Sequence, residues 1–306
     1  MAPTNHPALR SNALGIATVL LAGACALGSA GCVAPASDEA AAYEESLADP
    51  GGKADGAGSG DTVVFRISAV AVREPHFFVR PVFSCTDLTD RGVMGEPSIN
   101  RMLNDFITGD DPSDPNGILD LSLMMLFRPL DTRAASGRMD FGAGNCSTPA
   151  SSTECDLDPA AYPTRAQVVN RSDGYCMVPD ANDLSSAEYS PRPTAVAGPC
   201  FTTAPFDTTL RLGLVDLPVR DATVAGTYRS GGIGWGSLRG FVTEGDADSV
   251  LLPDSLPIVG GKPISVMFPG GDGNCARHDD RDVHEGRVGW WIYAEFNAEE
   301  VKYVGP

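Results

Sequence analysis

Short apolar and β-branched runs, separated by polar, turn-rich breaks, recur along the chain, and that pattern predicts strands. Thr62-Val63-Val64-Phe65-Arg66-Ile67 is a β-branched run that opens the foldable part at Asp61. Phe77 to Phe83 is apolar but broken by Pro81, which suits an edge or a bulge. The pattern then changes. Ile99, Met102, Leu103, Phe106 and Ile107 recur at helical spacing between Ser98 and Gly109, so Ser98 to Thr108 is predicted as a helix laid on a sheet. Ile118 to Phe127 reads as a strongly apolar strand closed by Arg128-Pro129. Residues 142–207 show little periodicity and much Pro, Ser and Asp, and are expected to be irregular and held by crosslinks. Strands return at Thr209–Val215 and Ala222–Tyr228, followed by a glycine loop over residues 230–236. Leu238, Phe241 and Val242 share a helical face and predict a short helix from Ser237 to Glu244. Val288 to Phe296 alternates cleanly and is the last strand. The sum is a mainly β chain: an antiparallel β-sandwich-like single domain over residues 61–306, with one or two short helices and a disulfide-stapled irregular segment.

The N-terminal residues carry an address. Arg10, an apolar run from Ala13 to about Leu27, and Ser29-Ala30-Gly31-Cys32 follow the order of a secretory signal that ends at a lipidated cysteine. Residues 1–31 are therefore expected to be a lipoprotein signal peptide and Cys32 the lipidation site, with Cys25 as a rival. The apolar run is too short to span a bilayer as a transmembrane helix. Val33 follows Cys32, which favours the outer membrane. Residues 32–60 are small, acidic and Gly-rich, and are expected to form a flexible tether. The expected partners are a membrane, through the lipid anchor, and an envelope or extracellular ligand.

Charge and cysteines sharpen the picture. A formal charge of −18 repels phosphate backbones, so no nucleic acid is expected as a partner. Of the eight cysteines, Cys85, Cys146, Cys155, Cys176, Cys200 and Cys275 lie in the foldable part. An even set in an exported chain reads as disulfides, and their spacing favours no particular pairing.

Three constellations invite chemistry. Residues 109–120 are similar to a calcium loop, with Asp114, Asn116 and Asp120 on ligand positions. Pro112 and Leu123 stand where two further ligands belong. Near Cys275, the stretch His278-Asp279-Asp280-Arg281-Asp282-Val283-His284 would place His278, Asp280, Asp282 and His284 on one face if extended, a mixed imidazole and carboxylate set suited to a divalent metal. Trp235, flanked by glycines, is a candidate for stacking on a ligand or for capping the core. No GxSxG, SxxK, HExxH or phosphate-binding glycine loop occurs. Neither a catalytic residue nor a cofactor beyond a possible divalent metal is expected.

Several phrases carry a resemblance: Gly52-Lys53-Ala54-Asp55-Gly56, Cys85-Thr86-Asp87, residues 118–130 (ILDLSLMMLFRPL), Pro199-Cys200-Phe201, Leu238-Arg239-Gly240-Phe241 and Asn274-Cys275. With Cys32 they resemble predicted lipoproteins of the myxobacterial type. The resemblance implies the envelope address and a single domain, and transfers no catalytic residue. The expectation is a lipid-anchored envelope domain with a binding or structural role; the alternative is a metal-dependent hydrolase built around residues 278–285.

Overall fold

The apolar runs close on themselves. The structure, a computed structural model, describes residues 62–112, 115–158, 163–213 and 215–305. The strands of its ring are β1 (Val63–Glu74), β2 (Leu123–Phe127), β3 (Ser136–Cys146), β4 (Thr164–Arg171), β5 (Cys200–Thr203), β6 (Asp216–Arg229), β7 (Gly232–Thr243) and β8 (Arg287–Tyr303). Each pairs antiparallel with the next, and β8 pairs antiparallel with β1. The result is an eight-stranded, closed, up-and-down barrel, not the expected sandwich. Both architectures bury one face of each strand, so the same alternation serves either. Closure is decided by the pairing of the first strand with the last, which no local pattern encodes.

Inward positions of the strands form one apolar core, and β2 shows how both faces can be apolar. Leu123, Met125 and Phe127 point into the barrel. Met124 and Leu126 lie in a second buried cluster with Val64, Cys146 and Cys155 outside it. A short strand, Glu154–Leu157, covers that outer cluster by pairing antiparallel with β3 and parallel with β8.

Three sequence expectations change. Residues 142–207 are not irregular throughout: they supply the end of β3, all of β4 and β5, and short paired strands at Tyr175–Met177 and Val196–Ala197. The glycine loop shrinks to a turn at Ser230-Gly231, because β7 already starts at Gly232. Ser237 to Glu244 is not a helix; its first seven residues lie in β7, and a helix, α2 (Glu244–Ser249), follows. Leu238 and Val242 face the barrel core while Phe241 packs outside with Trp291. A strand buried on both faces imitates a helical stripe.

The first predicted helix holds. Here α1 (Ile99–Thr108) is capped by Ser98, whose Oγ accepts from the Arg101 amide at 3.2 Å. It occupies a gap in the ring, since β2 pairs with β1 only over Val63–Arg66. Beyond that point two helix side chains replace the missing strand. Asn104 accepts from Val70 N–H at 3.0 Å and donates to Val70 C=O at 2.6 Å. Asn100 does the same for Val72, at 2.7 and 3.2 Å. The spacing i, i+4 on a helix nearly equals i, i+2 on a strand, so the two amides continue the ladder. Buried Arg66 donates to the Ile107 carbonyl at 2.9 Å, satisfying the C-terminal turn of α1. Burial holds this guanidinium's pKa below its ordinary value, with Glu299 opposing.

All six foldable-part cysteines are paired, as Cys85–Cys275, Cys146–Cys155 and Cys176–Cys200. Three disulfides are compatible with an exported protein. Cys25, Cys32 and the tether lie outside the described residues, as does Asp114. Among the described residues no helix is long and apolar enough to cross a membrane.

Candidate functional site

Where α1 replaces a strand, the barrel does not fill. A cavity of about 200 Å³ lies between the barrel wall, α1 and the segment 250–268. Ile67, Val72, Ile292 and Phe296 form its barrel side, Leu103 and Ile107 its helical side, and Ile264, Met267 and Phe268 its floor. Phe268 stacks obliquely on Trp290 and Phe77, with ring centroids 5.1 and 5.3 Å apart. Glu96, which is exposed, is the only charged side chain on the lining. An apolar cavity of about 150 Å³ stays dry and admits a benzene-sized molecule, so this larger one favours an apolar guest.

Two compact loops and α1 frame the mouth. Val250 to Ile264 is pinned at its neck, where Ile264 N–H donates to Val250 C=O at 2.8 Å and Leu252 N–H to Lys262 C=O at 2.9 Å. Leu256, Pro257 and Ile258 at its tip line the cavity and reach solvent. Opposite, Val93 and Glu96 exchange two backbone hydrogen bonds, at 3.1 and 3.0 Å, and hold Met94 outward.

The four predicted metal ligands do not converge. His278, Asp280, Asp282 and His284 are each half-buried and alternate with exposed residues, as an extended stretch requires. The two pairs nonetheless go to different partners. Asp280 accepts from Ser185 Oγ at 2.6 Å and from Tyr189 Oη at 2.5 Å, while His278 Nε2 lies 2.6 Å from the same tyrosine oxygen. Tyr189 has one proton and gives it to Asp280, so His278 donates to Tyr189. The tyrosine ring stacks on His76 at 3.8 Å, and His76 Nδ1 lies 2.6 Å from Asp87.

Glu74, 2% exposed, lies beside this network. Burial, then the Asp280 charge, pushes its carboxyl up to about 7, against the Ser185 amide, His76 and Arg192. Burial and the bond to Asp280 raise the Tyr189 hydroxyl as well. For Asp87 burial also raises the pKa, but the His76 hydrogen bond and charge outweigh it and hold the carboxyl below its ordinary value. These groups fasten four separate stretches of chain, around residues 74–76, 87, 185–189 and 278–280, to one another.

His284 goes elsewhere. Its Nε2 is 2.7 Å from Asp221 Oδ2, and its ring packs against Trp291 and Phe241 at 4.7 and 5.2 Å. Exposed Glu285 completes a group whose ligand atoms lie within 4.8 Å of one another. Asp282 turns back to accept from the Val283 amide. Any metal at residues 278–285 would therefore be held by Asp221, His284 and Glu285. Asp221 comes from β6, and no spacing in the sequence points to it.

The calcium-like loop ties its own backbone. Asn116 accepts from Ile118 N–H at 2.8 Å, Asp120 from Asp111 N–H at 3.3 Å, and Asp110 from Gly117 N–H at 2.7 Å. Trp235 is 43% exposed on the outer face of β7, with the Arg229 guanidinium 5.5 Å from its ring. Its neighbours in the sheet reach the cavity, since Leu238 on the same strand and Phe296, paired with Gly236, line it, but Trp235 itself does not. The apolar cavity, which sequence reasoning missed, is the largest departure from the expected sites; its lining looked like ordinary core. Comparison of the chain with family models, with curated proteins and with solved structures gives no match.

Proposed function

We propose that this protein is an exported, lipid-anchored domain of the cell envelope that binds a small apolar molecule inside its barrel. The cavity carries the reading: about 200 Å³, walled by aliphatic and aromatic side chains, with Glu96 as its one charged group. Eight-stranded barrels are just wide enough to hold side chains or one small ligand, and here a helix in place of a strand leaves room for the second. A ligand with no polar demand suits such walls, because every lining side chain except Glu96 is apolar. The acidic surface, the disulfides and Cys32 fit an envelope address.

The test is displacement of a fluorescent apolar probe, N-phenyl-1-naphthylamine. Saturable binding at one site is expected. Met102 lines the cavity from the half-buried face of α1. Met102→Trp should fill the space and weaken probe binding at least about tenfold, a loss of about 1.4 kcal/mol, with the far-UV spectrum unchanged. Absence of saturable binding in the parent would refute the proposal.

A further inference from the structure

The rim of the cavity has two properties that suit a lipid surface. It is apolar: Met94 is 74% exposed and Leu251 61%, and half-buried Val93, Leu256 and Ile258 lie beside them. It is also neutral. Two segments that line the mouth are residues 91–105 and 251–262. The first holds Arg91, Arg101, Glu96 and Asp105; the second holds Lys262 and Asp254. Each sums to zero in a chain of formal charge −18. An acidic protein whose apolar opening is free of net charge has one face that a lipid surface does not repel.

We propose that this rim docks on a lipid surface and that the cavity draws its ligand, the hydrocarbon portion of a membrane amphiphile, directly from it. The inference rests on the apolar-ligand reading above and names its source. Apolar walls end at a rim where Glu96 and Lys262 stand, so a chain would sit inside and a polar head outside. Lys262 Nζ donates to the Ile258 carbonyl at 3.0 Å, which keeps a cation at the rim beside the apolar tip.

Chain length permits the geometry. The mouth lies at the end of β1 where Val72 and Pro75 line the cavity, whereas the chain enters β1 at Val63. A strand of 12 residues is ~40 Å long, or ~30 Å of barrel height at the usual tilt. Between Cys32 and Val63 run 30 residues, and a relaxed chain of that length spans about 30 Å. An anchor at Cys32 therefore leaves the opposite end of the barrel free to reach the same membrane.

The experiment uses the full exported chain, purified and reconstituted in phosphatidylcholine vesicles. A single environment-sensitive dye is placed by Met94→Cys, and in a second protein by Val304→Cys, an exposed site at the other end of the barrel. The Met94→Cys dye should shift to the blue and be quenched by brominated lipid, and the Val304→Cys dye should do neither. Met94→Asp combined with Leu251→Asp should slow transfer of N-phenyl-1-naphthylamine from vesicle to protein at least about tenfold. Its binding from water should stay within about twofold of the parent. If the Met94→Cys dye stays aqueous and unquenched while the probe still binds from water, docking is overturned and the cavity reading stands. If the probe does not bind from water at all, the cavity reading itself has failed. Equal response of both dyes means unspecific adsorption and also overturns the proposal.

Discussion

Glu74 shows how one side chain makes this fold sensitive to pH. Its carboxyl titrates near 7 in the folded protein, because burial and Asp280 disfavour its charge, whereas in the unfolded chain it ionises near its ordinary value. The folded pKa is the higher one. The associated stability is therefore complete below the unfolded pKa, falls as pH rises from about 4.5 towards 7, and stays lost above that. The slope is at most about 1.4 kcal/mol per pH unit. Glu74→Gln keeps the shape and removes the titration. Urea unfolding should find the variant and parent similar at pH 4 and the variant more stable at pH 8; parallel stability profiles would exclude this role. Nothing in the sequence marks Glu74, since its neighbours Ser185, Tyr189 and Asp280 arrive from more than a hundred residues away. The two histidines of the 278–284 stretch were visible as candidates, but the partners that separate them were not.

At the scale of the element, α1 is both the most legible part of the chain and the most unusual part of the barrel. Its stripe, its Ser98 cap and its exit at Gly109 follow from local rules. Its substitution for a strand does not. Asn100 is fully buried, and its amide satisfies both backbone groups of Val72. Asn100→Ala should cost about 2–4 kcal/mol, because a buried N–H and C=O would each lose a partner. Hydrogen exchange at Val72 should rise sharply, while Asn104 still protects Val70. An unchanged stability would show that water replaces the amide. By contrast β7 imitates a helix in the sequence, since its two buried faces erase the period of two on which strand recognition depends.

Across the whole molecule, the three disulfides act over very different loops. Cys146–Cys155 closes 9 residues and Cys85–Cys275 closes 190. In the chain-entropy account the longer loop stabilises by about 2–3 kcal/mol more. Replacing Cys85 and Cys275 with Ala should therefore lower stability well beyond replacement of Cys146 and Cys155, as read by denaturant unfolding under oxidising conditions. Equal losses would point to native packing, not loop closure, as the source. The long crosslink also joins the short hairpin of Phe78–Val79 and Thr86–Asp87, which follows β1, to the segment before β8, and the pairing of β1 with β8 closes the barrel.

By itself the sequence determined that the chain is mainly β, where α1 begins and ends, and that the six cysteines of the foldable part are crosslinked. These depend on period, caps and composition, all of which act within a dozen residues. Tertiary structure alone decided that the sheet closes, that two asparagines stand in for a strand, that His278 and His284 part company, and that an apolar wall encloses space. Each of those depends on which distant segments meet, and an inward-facing Ile or Leu looks the same in sequence whether it touches another side chain or lines a cavity.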